Sequence, residues 1–165
     1  MILSHPAILE SRLLHWPDES ACAAFATALA AHAALHQAVI ELEGPLGAGK
    51  TTFVRHLLRA IGVEGRIKSP TYAVVEPYEV ALPDGDTCAV SHFDFYRFND
   101  PREWEDAGFR DIFAAPGLKL CEWADKARSV LPVADLVIHI EPVGDADERR
   151  VQVDAFTAAG LSLLP

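Results

Sequence analysis

Short apolar segments recur along the chain, and each is bounded by glycine, proline or acidic residues. Segments of this length, in which apolar residues alternate with polar ones or follow one another, are typical of β-strands. The pattern therefore predicts a protein rich in short strands. The predicted strands cover residues 8–14 (an edge strand), 37–43, 71–96 (an antiparallel hairpin), 117–122, and the antiparallel pair 135–141 and 149–156.

Other segments repeat their apolar residues every three or four positions, which is the spacing of one face of an α-helix. Capping residues and prolines mark where these helices start and stop. The predicted helices start at Pro17 with Asp18 as the N-cap, cover residues 52–61 before Gly62, run from Asp100 and Pro101 to Gly108, and cover residues 124–131.

The helical spacing also predicts which residues face the core: Cys22, Phe25, Leu29 and Ala33 in the first helix, and Phe53, Leu57, Ala60 and Ile61 in the second. Strands and helices alternate in the middle of the chain, and a strand pair closes each half. This order predicts an α/β fold with a mixed, mostly parallel sheet and helices on both faces.

Composition narrows the class of protein. The chain has 165 residues, half of them hydrophobic, which predicts one domain over residues 1–165. The net charge of −10 opposes tight, unaided binding to the phosphates of a nucleic acid. Cys22, Cys88 and Cys121 are far apart in apolar segments, which indicates buried, reduced thiols in a cytoplasmic protein. No segment reads as a signal peptide or a membrane span.

One segment carries specific chemistry: the glycine-rich loop of residues 44–51, which fits the P-loop pattern of Gly, four residues and Gly-Lys-Ser/Thr. Glycines let the backbone approach a ligand, and the following helix presents free N–H groups to phosphate. A strand before the loop and a helix after it are the context that this motif requires, so we expect a nucleoside triphosphate site. The predicted binding residues are Gly44, Leu46, Gly47, Ala48, Gly49, Lys50, Thr51 and Thr52.

Within the loop, Lys50 can reach the β- and γ-phosphates, and the Thr51 hydroxyl can bind Mg²⁺. Such a site also needs a carboxylate at the end of a neighbouring strand, and the candidates are Asp94 and Glu122. Either acid could bind the metal while the other orients the attacking water, and each could also be an exposed acid at a strand end. Thr71 suits a switch that senses the γ-phosphate, or it simply starts a strand.

Several blocks of sequence, in order and spacing, resemble the TsaE (YjeE) family, bacterial P-loop ATPases needed to form threonylcarbamoyladenosine in tRNA. The Ser-Pro-Thr block, the His-x-Asp-x-Tyr-Arg block and the Glu-Trp pair are more specific than the P-loop itself. The matching blocks are residues 44–53, 68–72, 75–78, 92–97, 100–101, 108–111 and 122–123.

The resemblance implies roles for particular residues and partners. Lys50 would hold phosphate, Thr51 would bind Mg²⁺, and Thr71 would belong to a switch-like loop. Asp94 and Glu122 would be the metal and catalytic acids. ATP and Mg²⁺ are the implied cofactors, and TsaB and TsaD are the implied partners, which would make most of the contact with tRNA. The implied ATPase activity is weak for the isolated protein and stimulated by its partners.

Two other classes of function are weighed against the residues, and one of them remains open. A P-loop small-molecule kinase would need an acceptor pocket and an arginine-bearing lid, for which Arg97, Arg102 and Arg110 are candidates. A GTP switch protein would need an Asn-Lys-x-Asp block to read guanine, and the sequence has none. We therefore predict ATP rather than GTP as the nucleotide.

Overall fold

The computed structural model describes residues 6–70, 74–100, 102, 108–144 and 146–165. Within them, seven strands form a single sheet in the order β1-β7-β6-β2-β5-β4-β3. The strands are β1 Glu10–Trp16, β2 Val39–Glu43, β3 Val75–Ala81, β4 Thr87–Asp94, β5 Leu118–Glu122, β6 Leu136–Pro142 and β7 Arg149–Ala155.

The sheet is mixed, and its parallel part lies in the centre. Strands β6, β2, β5 and β4 are parallel, whereas β3 at one edge, and β7 and β1 at the other, pair antiparallel to their neighbours. The description "mostly parallel" therefore holds only for the four central strands. Because parallel strands end at the same edge, the carboxyl ends of β2, β5 and β4 lie side by side, and the glycine-rich loop follows β2.

Helices cover the two faces of the sheet unequally. The described helices are α1 Glu19–Ala30, α2 Lys50–Ile61, α3 Phe109–Ala114 and α4 Ala158–Leu163, with 3₁₀ helices at Ala33–Gln37 and Ala124–Ala127. The main core joins α1 and α2 to one face, through buried residues such as Leu29, Phe53 and Leu57. A smaller aromatic core, with Phe93, Phe95 and Phe109, lies on the other face over β4 and β5.

The strand predictions are confirmed over the described residues, with small shifts of their ends; residues 71–73 of the predicted hairpin lie outside those residues. The edge strand begins at Glu10 rather than at residue 8, and Pro77 lies in the edge strand β3, where a missing N–H is tolerated. Asp18 is the N-cap of α1, and its carboxylate accepts a hydrogen bond from the Ala21 N–H. Cys22, Cys88 and Cys121 are buried free thiols, as expected.

Some helix predictions are wrong. Ala33 and Ala60 are exposed: Ala33 lies beyond the end of α1, and the buried side of α2 is formed by Phe53, Val54, Leu57 and Leu58, which excludes position 60. The helix predicted over residues 124–131 is only the 3₁₀ helix Ala124–Ala127 followed by turns. The helix predicted from Asp100 to Gly108 falls largely on residues outside those described, and Gly108 precedes α3.

Of the described helices, α1 and α2 have 12 residues each, and no helix in the described ranges is both long and apolar enough to cross a bilayer.

Candidate phosphate-binding site

The glycine-rich loop leaves β2 and enters α2 through glycines with positive φ. Gly47 has a φ of 78° and Gly49 a φ of 106°, values that side chains with a Cβ rarely adopt. Gly49 is the N-cap of α2 and supplies no side-chain acceptor, so the first N–H groups of the helix are left for another acceptor. An anion is the natural occupant, because the helix dipole also favours negative charge at this end.

Gly44 fixes the base of the loop by close packing. A Cβ built at this residue would lie 2.4 Å from the carbonyl oxygen of Ile140 in β6, so no larger residue fits without a shift of backbone. Ala48 is buried, whereas the side chain of Leu46 is 70% exposed. The tip of the loop therefore faces solvent while its two ends are anchored in the core.

Lys50 is held over the loop by groups that a ligand could replace. Its ammonium donates to the carbonyl oxygens of Gly44 and Pro45, the latter at 3.2 Å, and lies 4.1 Å from the centre of the Trp123 ring. Burial lowers the pKa of Lys50, and the nearby carboxylates of Glu122 and Asp94 act in the opposite direction. This lysine is a buried cation without a direct ion pair to either acid among its described contacts.

The two candidate acids are register partners on neighbouring strands. Asp94 ends β4 and Glu122 ends β5, and β5 also pairs with β2. Because β5 is one strand closer to the loop than β4, Glu122 is the acid that reaches α2. The Thr51 hydroxyl donates to Glu122, with Oγ1 at 2.9 Å from Oε1 and 3.1 Å from Oε2.

Asp94 lies beside this pair in a site with excess negative charge. Burial raises the pKa of Asp94, and the neighbouring Glu122 adds to that rise; a hydrogen bond from the Tyr96 N–H, together with His92 and Lys50, opposes it. Two partly desolvated carboxylates therefore face one lysine. A further cation at this place would relieve their repulsion.

The donor set fits Mg²⁺. The Thr51 hydroxyl and the Asp94 and Glu122 carboxylates are hard oxygen ligands, and Mg²⁺ takes few protein ligands because it retains several waters. Over the described residues, no group of three or more His, Cys, Asp or Glu side chains is arranged to hold a metal ion. The oxygen set here would be completed by water and phosphate, as Mg²⁺ sites in nucleotide-binding proteins are.

A small cavity of about 100 Å³ lies on the other side of the loop. Thr52 lines it, and so do Trp16, Asp18 and Arg149. The Arg149 guanidinium donates to the carbonyl oxygen of Ala48, with Nε at 2.6 Å, and so joins the last strand to the loop. The sequence analysis missed this side of the site. Arg149 is about 100 residues from the loop in the chain, and only the order of strands in the sheet brings β7 near it.

The structure brings together most of the residues proposed from the sequence. Lys50, Thr51, Asp94 and Glu122 meet at one end of the parallel strands, while Thr52 faces the cavity. Thr71 lies outside the described residues, so its role as a switch stays a prediction. Two further residues of the matching blocks also belong to the site: Trp123 lies against Lys50, and His92 contacts Glu122.

The comparisons with known proteins agree with one another. Residues 16–151 match the family model described as "Threonylcarbamoyl adenosine biosynthesis protein TsaE". Proteins named "tRNA threonylcarbamoyladenosine biosynthesis protein TsaE" are similar to this chain: the one from Haemophilus influenzae is 40% identical over 126 residues, covering 76% of this chain and 75% of the relative. The one from Bacillus subtilis is 39% identical over 122 residues, covering 74% and 70%.

A solved structure supports the same conclusion. The crystal structure of Bacillus subtilis YdiB superposes with a TM-score of 0.74 at 30% sequence identity, covering 97% of this chain and 94% of YdiB. The match to the family model spans more than four-fifths of the chain and includes the loop, Asp94 and Glu122. The chain therefore belongs to the TsaE family of threonylcarbamoyladenosine biosynthesis proteins.

Proposed function

We propose that this chain is a single-domain P-loop ATPase that binds and hydrolyses ATP with Mg²⁺, and that it serves the formation of threonylcarbamoyladenosine in tRNA. The observation that carries the proposal is the contact between Thr51 and Glu122. A hydroxyl on the first turn of α2 meets a buried carboxylate from a neighbouring parallel strand, directly beside Lys50. A phosphate-binding loop needs this arrangement to place a metal ion next to a triphosphate.

The residues divide the work as follows. The N–H groups of residues 47–51 and the Lys50 ammonium bind the phosphates and stabilise the charge that develops on them during cleavage. Thr51, Asp94 and Glu122 would hold Mg²⁺, which neutralises phosphate charge when bound. One of the two carboxylates would hold the metal through a bound water rather than directly, and it would also orient the attacking water. Because Glu122 contacts Thr51, we assign it the closer position to the metal.

The nucleoside is best accommodated in the cavity beside Thr52. This side of the first turn of α2 is opposite to Glu122, so a triphosphate with its γ-phosphate near the acids directs its nucleoside towards Thr52. The planar guanidinium of Arg149 and the carboxylate of Asp18 border that cavity, and both can contact a purine. We expect adenine here, because the sequence lacks the block that reads guanine.

The proposed partners are those that the sequence resemblance implies, and the charge of the chain supports a role for them. With a net charge of −10, the protein is repelled by tRNA phosphates, so contact with tRNA would come mainly through TsaB and TsaD. The resemblance also implies that ATP hydrolysis is tied to repeated turnover of the partner complex rather than to the transfer of the threonylcarbamoyl group. The protein would then act in the cytoplasm, where its partners and tRNA are.

The test measures ATP binding and hydrolysis separately. Calorimetry with ATP and with GTP, each with Mg²⁺, should show tighter binding of ATP. Phosphate release from ATP should be slow for the isolated protein and faster when TsaB and TsaD are added. An absence of adenine nucleotide binding in the presence of Mg²⁺ would overturn the whole proposal, and equal or tighter binding of GTP would overturn the choice of nucleotide.

The kinase alternative has less support. Of the arginines considered for a lid, Arg102 is 86% exposed in its side chain and paired with Asp100, so it does not cover the loop in the described structure. The same assay separates the two functions. A kinase would transfer phosphate to a metabolite and show no response to TsaB and TsaD.

A further inference from the structure

His92 makes the shortest described contact to the acid that touches Thr51. It lies in β4, on the face of the sheet that carries Val90 and the main core, and only 1% of its surface is exposed. Its Nε2 is 2.6 Å from Oε2 of Glu122, whose side chain is 3% exposed. The contact is therefore fully shielded from water.

The other ring nitrogen determines which atom donates. Among the described residues, Nδ1 of His92 is the one buried side-chain polar atom without a hydrogen-bond partner. A proton on Nδ1 would be a buried donor with no acceptor, which is costly. We therefore assign the tautomer with its proton on Nε2, so that His92 donates to Glu122 and Nδ1 keeps a lone pair.

We propose that His92 is a positioning residue for Glu122 in the nucleotide reaction. The proposal rests on the function proposed above. The hydrogen bond from Nε2 to Oε2 fixes the rotation of the carboxylate, so that Oε1 lies 2.9 Å and Oε2 3.1 Å from the Thr51 hydroxyl. Glutamate has three rotatable side-chain bonds, and without this donor the carboxylate could turn away from the place where the metal would be held.

Packing alone does not account for a histidine at this position. A buried apolar side chain would fill the space without leaving an unpartnered nitrogen next to the core. The polar ring thus carries a cost in stability, and the one described bond that it makes is to Glu122. A residue retained for this bond should affect the function of Glu122 more than the fold.

A pair of amide variants tests the proposal. His92→Gln can place its amide N–H close to the position of Nε2, whereas His92→Asn is one bond shorter and reaches only the position of Nδ1. The two variants are alike in polarity and differ in reach. His92→Leu gives the same test without a buried amide, in case the asparagine variant folds poorly.

Three quantities should be measured: kcat and KM for ATP with TsaB and TsaD present, and the Mg²⁺ concentration that gives half of the maximal ATP binding in calorimetry. We expect His92→Asn and His92→Leu to lower kcat about 10- to 100-fold and to raise that Mg²⁺ concentration about tenfold. At saturating Mg²⁺, KM should stay within about twofold. His92→Gln should recover most of both losses.

His15→Leu is the matched control. His15 also pairs through Nε2 with a glutamate, Glu148, but its side chain is 59% exposed at the sheet edge. Its kcat and Mg²⁺ requirement should equal those of the wild type. The proposal is wrong if His92→Asn and His92→Leu keep the wild-type Mg²⁺ requirement and kcat, or if His92→Gln is as impaired as they are. A wild type that binds no ATP contradicts the proposed function instead.

Discussion

Two histidine–carboxylate clusters lie on opposite faces of the same sheet, and they differ in how completely their charges are paired. The loop-side cluster consists of Lys50, Thr51, His92, Asp94 and Glu122. The sheet-face cluster consists of Ser11, Glu43, His139, Gln152 and Asp154.

In the sheet-face cluster every described group has a partner. His139 contacts Glu43 through Nδ1 at 3.0 Å and Asp154 through Nε2 at 2.9 Å. The second oxygen of Asp154 accepts from Ser11 at 2.6 Å and from Gln152 at 2.9 Å. Such a network has no place left for a ligand, and it stabilises the pairing of β1, β7, β6 and β2.

The loop-side cluster is incomplete by comparison. Its lysine contacts carbonyl oxygens and an aromatic ring, and one histidine nitrogen has no partner. Burial raises the pKa of Asp94, and the charge of Glu122 adds to that rise. A histidine next to acidic residues therefore does not by itself indicate a ligand-binding site. Unbalanced charge next to free helix N–H groups is the feature that supports the ligand site proposed above.

The largest effect should come from the lysine of the loop-side cluster. Lys50→Ala should lower ATP hydrolysis at least about 100- to 1000-fold, because it removes the charge that stabilises the phosphates. Lys119→Ala is the matched control: Lys119 is also 5% exposed and donates to a carbonyl, that of Ala115, but it lies at the other end of β5. It should keep its hydrolysis rate. A Lys50→Ala protein with more than a tenth of the wild-type rate would contradict the role of the loop-side cluster in binding phosphate.

The acid that contacts Thr51 should come next. Glu122→Ala should abolish measurable hydrolysis, a loss of about 100-fold or more. The change removes the carboxylate beside Thr51 that would bind the metal or orient the attacking water. In the sheet-face cluster, Asp154→Ala should lower the melting temperature and leave hydrolysis unchanged. Phosphate release and thermal unfolding measure both. Full activity of Glu122→Ala would move the role to Asp94.

In metal-free, nucleotide-free protein, ionisation of Asp94 and ionisation of Asp154 should change the stability of the fold in opposite directions. The pKa of Asp94 is raised, mainly by burial, so its ionised form costs stability at pH 7, and the cost disappears as pH falls through the folded-state pKa. Burial also acts to raise the pKa of Asp154, but hydrogen bonds from Ser11, Gln152 and His139 outweigh it and the pKa is lowered. Asp154 thus stabilises the fold above its unfolded-state pKa.

At pH 7, Asp94→Asn should therefore raise the melting temperature and Asp154→Asn should lower it. An effect of about 1 kcal/mol corresponds to about 2–4 °C for a protein of this size. Both differences from the wild type should shrink as the pH falls towards the acid range, which thermal unfolding between pH 3 and pH 8 can follow. Melting-temperature shifts of the same sign at pH 7 would contradict the proposed difference in charge pairing between the two clusters.

The smallest effect concerns His139. Its hydrogen bond to Glu43 raises its pKa, burial opposes that rise, and the charges of Glu43 and Asp154 add to it. A raised pKa means that the stabilisation is fully present below the unfolded-state value of about 6.5 and is lost as pH rises through the folded-state value.

His139→Gln should accordingly destabilise the protein most at about pH 6, and the difference should narrow as the pH rises. Because 38% of the side chain is exposed, solvent screening limits the effect to about 1 kcal/mol or less. Urea unfolding at a series of pH values measures it. A difference that widens towards alkaline pH would mean that His139 is neutral in the folded protein.

The local sequence predicts correctly those features of an element that its own residues determine, such as helix caps. Asp18 caps α1 through its own carboxylate, and Gly62 ends α2 in the left-handed conformation that glycine favours. The sequence predicts less well which face of a helix is buried and at which residue an element ends. Ala60 was assigned to the core from spacing alone, but the direction in which α2 meets the sheet decides which stripe is buried, and that direction is a tertiary property.

The glycine-rich loop is predictable from local residues alone, because contiguous residues and glycine backbone freedom suffice to place Lys50 and Thr51 at the start of α2. The sequence also supplied both acids, Asp94 and Glu122, as ends of apolar strands. The fold shows which of them reaches the loop: β5 pairs directly with β2, and Glu122 therefore contacts Thr51. The pairing of parallel strands joins segments far apart in the chain, and the order of strands in the sheet brings His92 and Arg149 to the site.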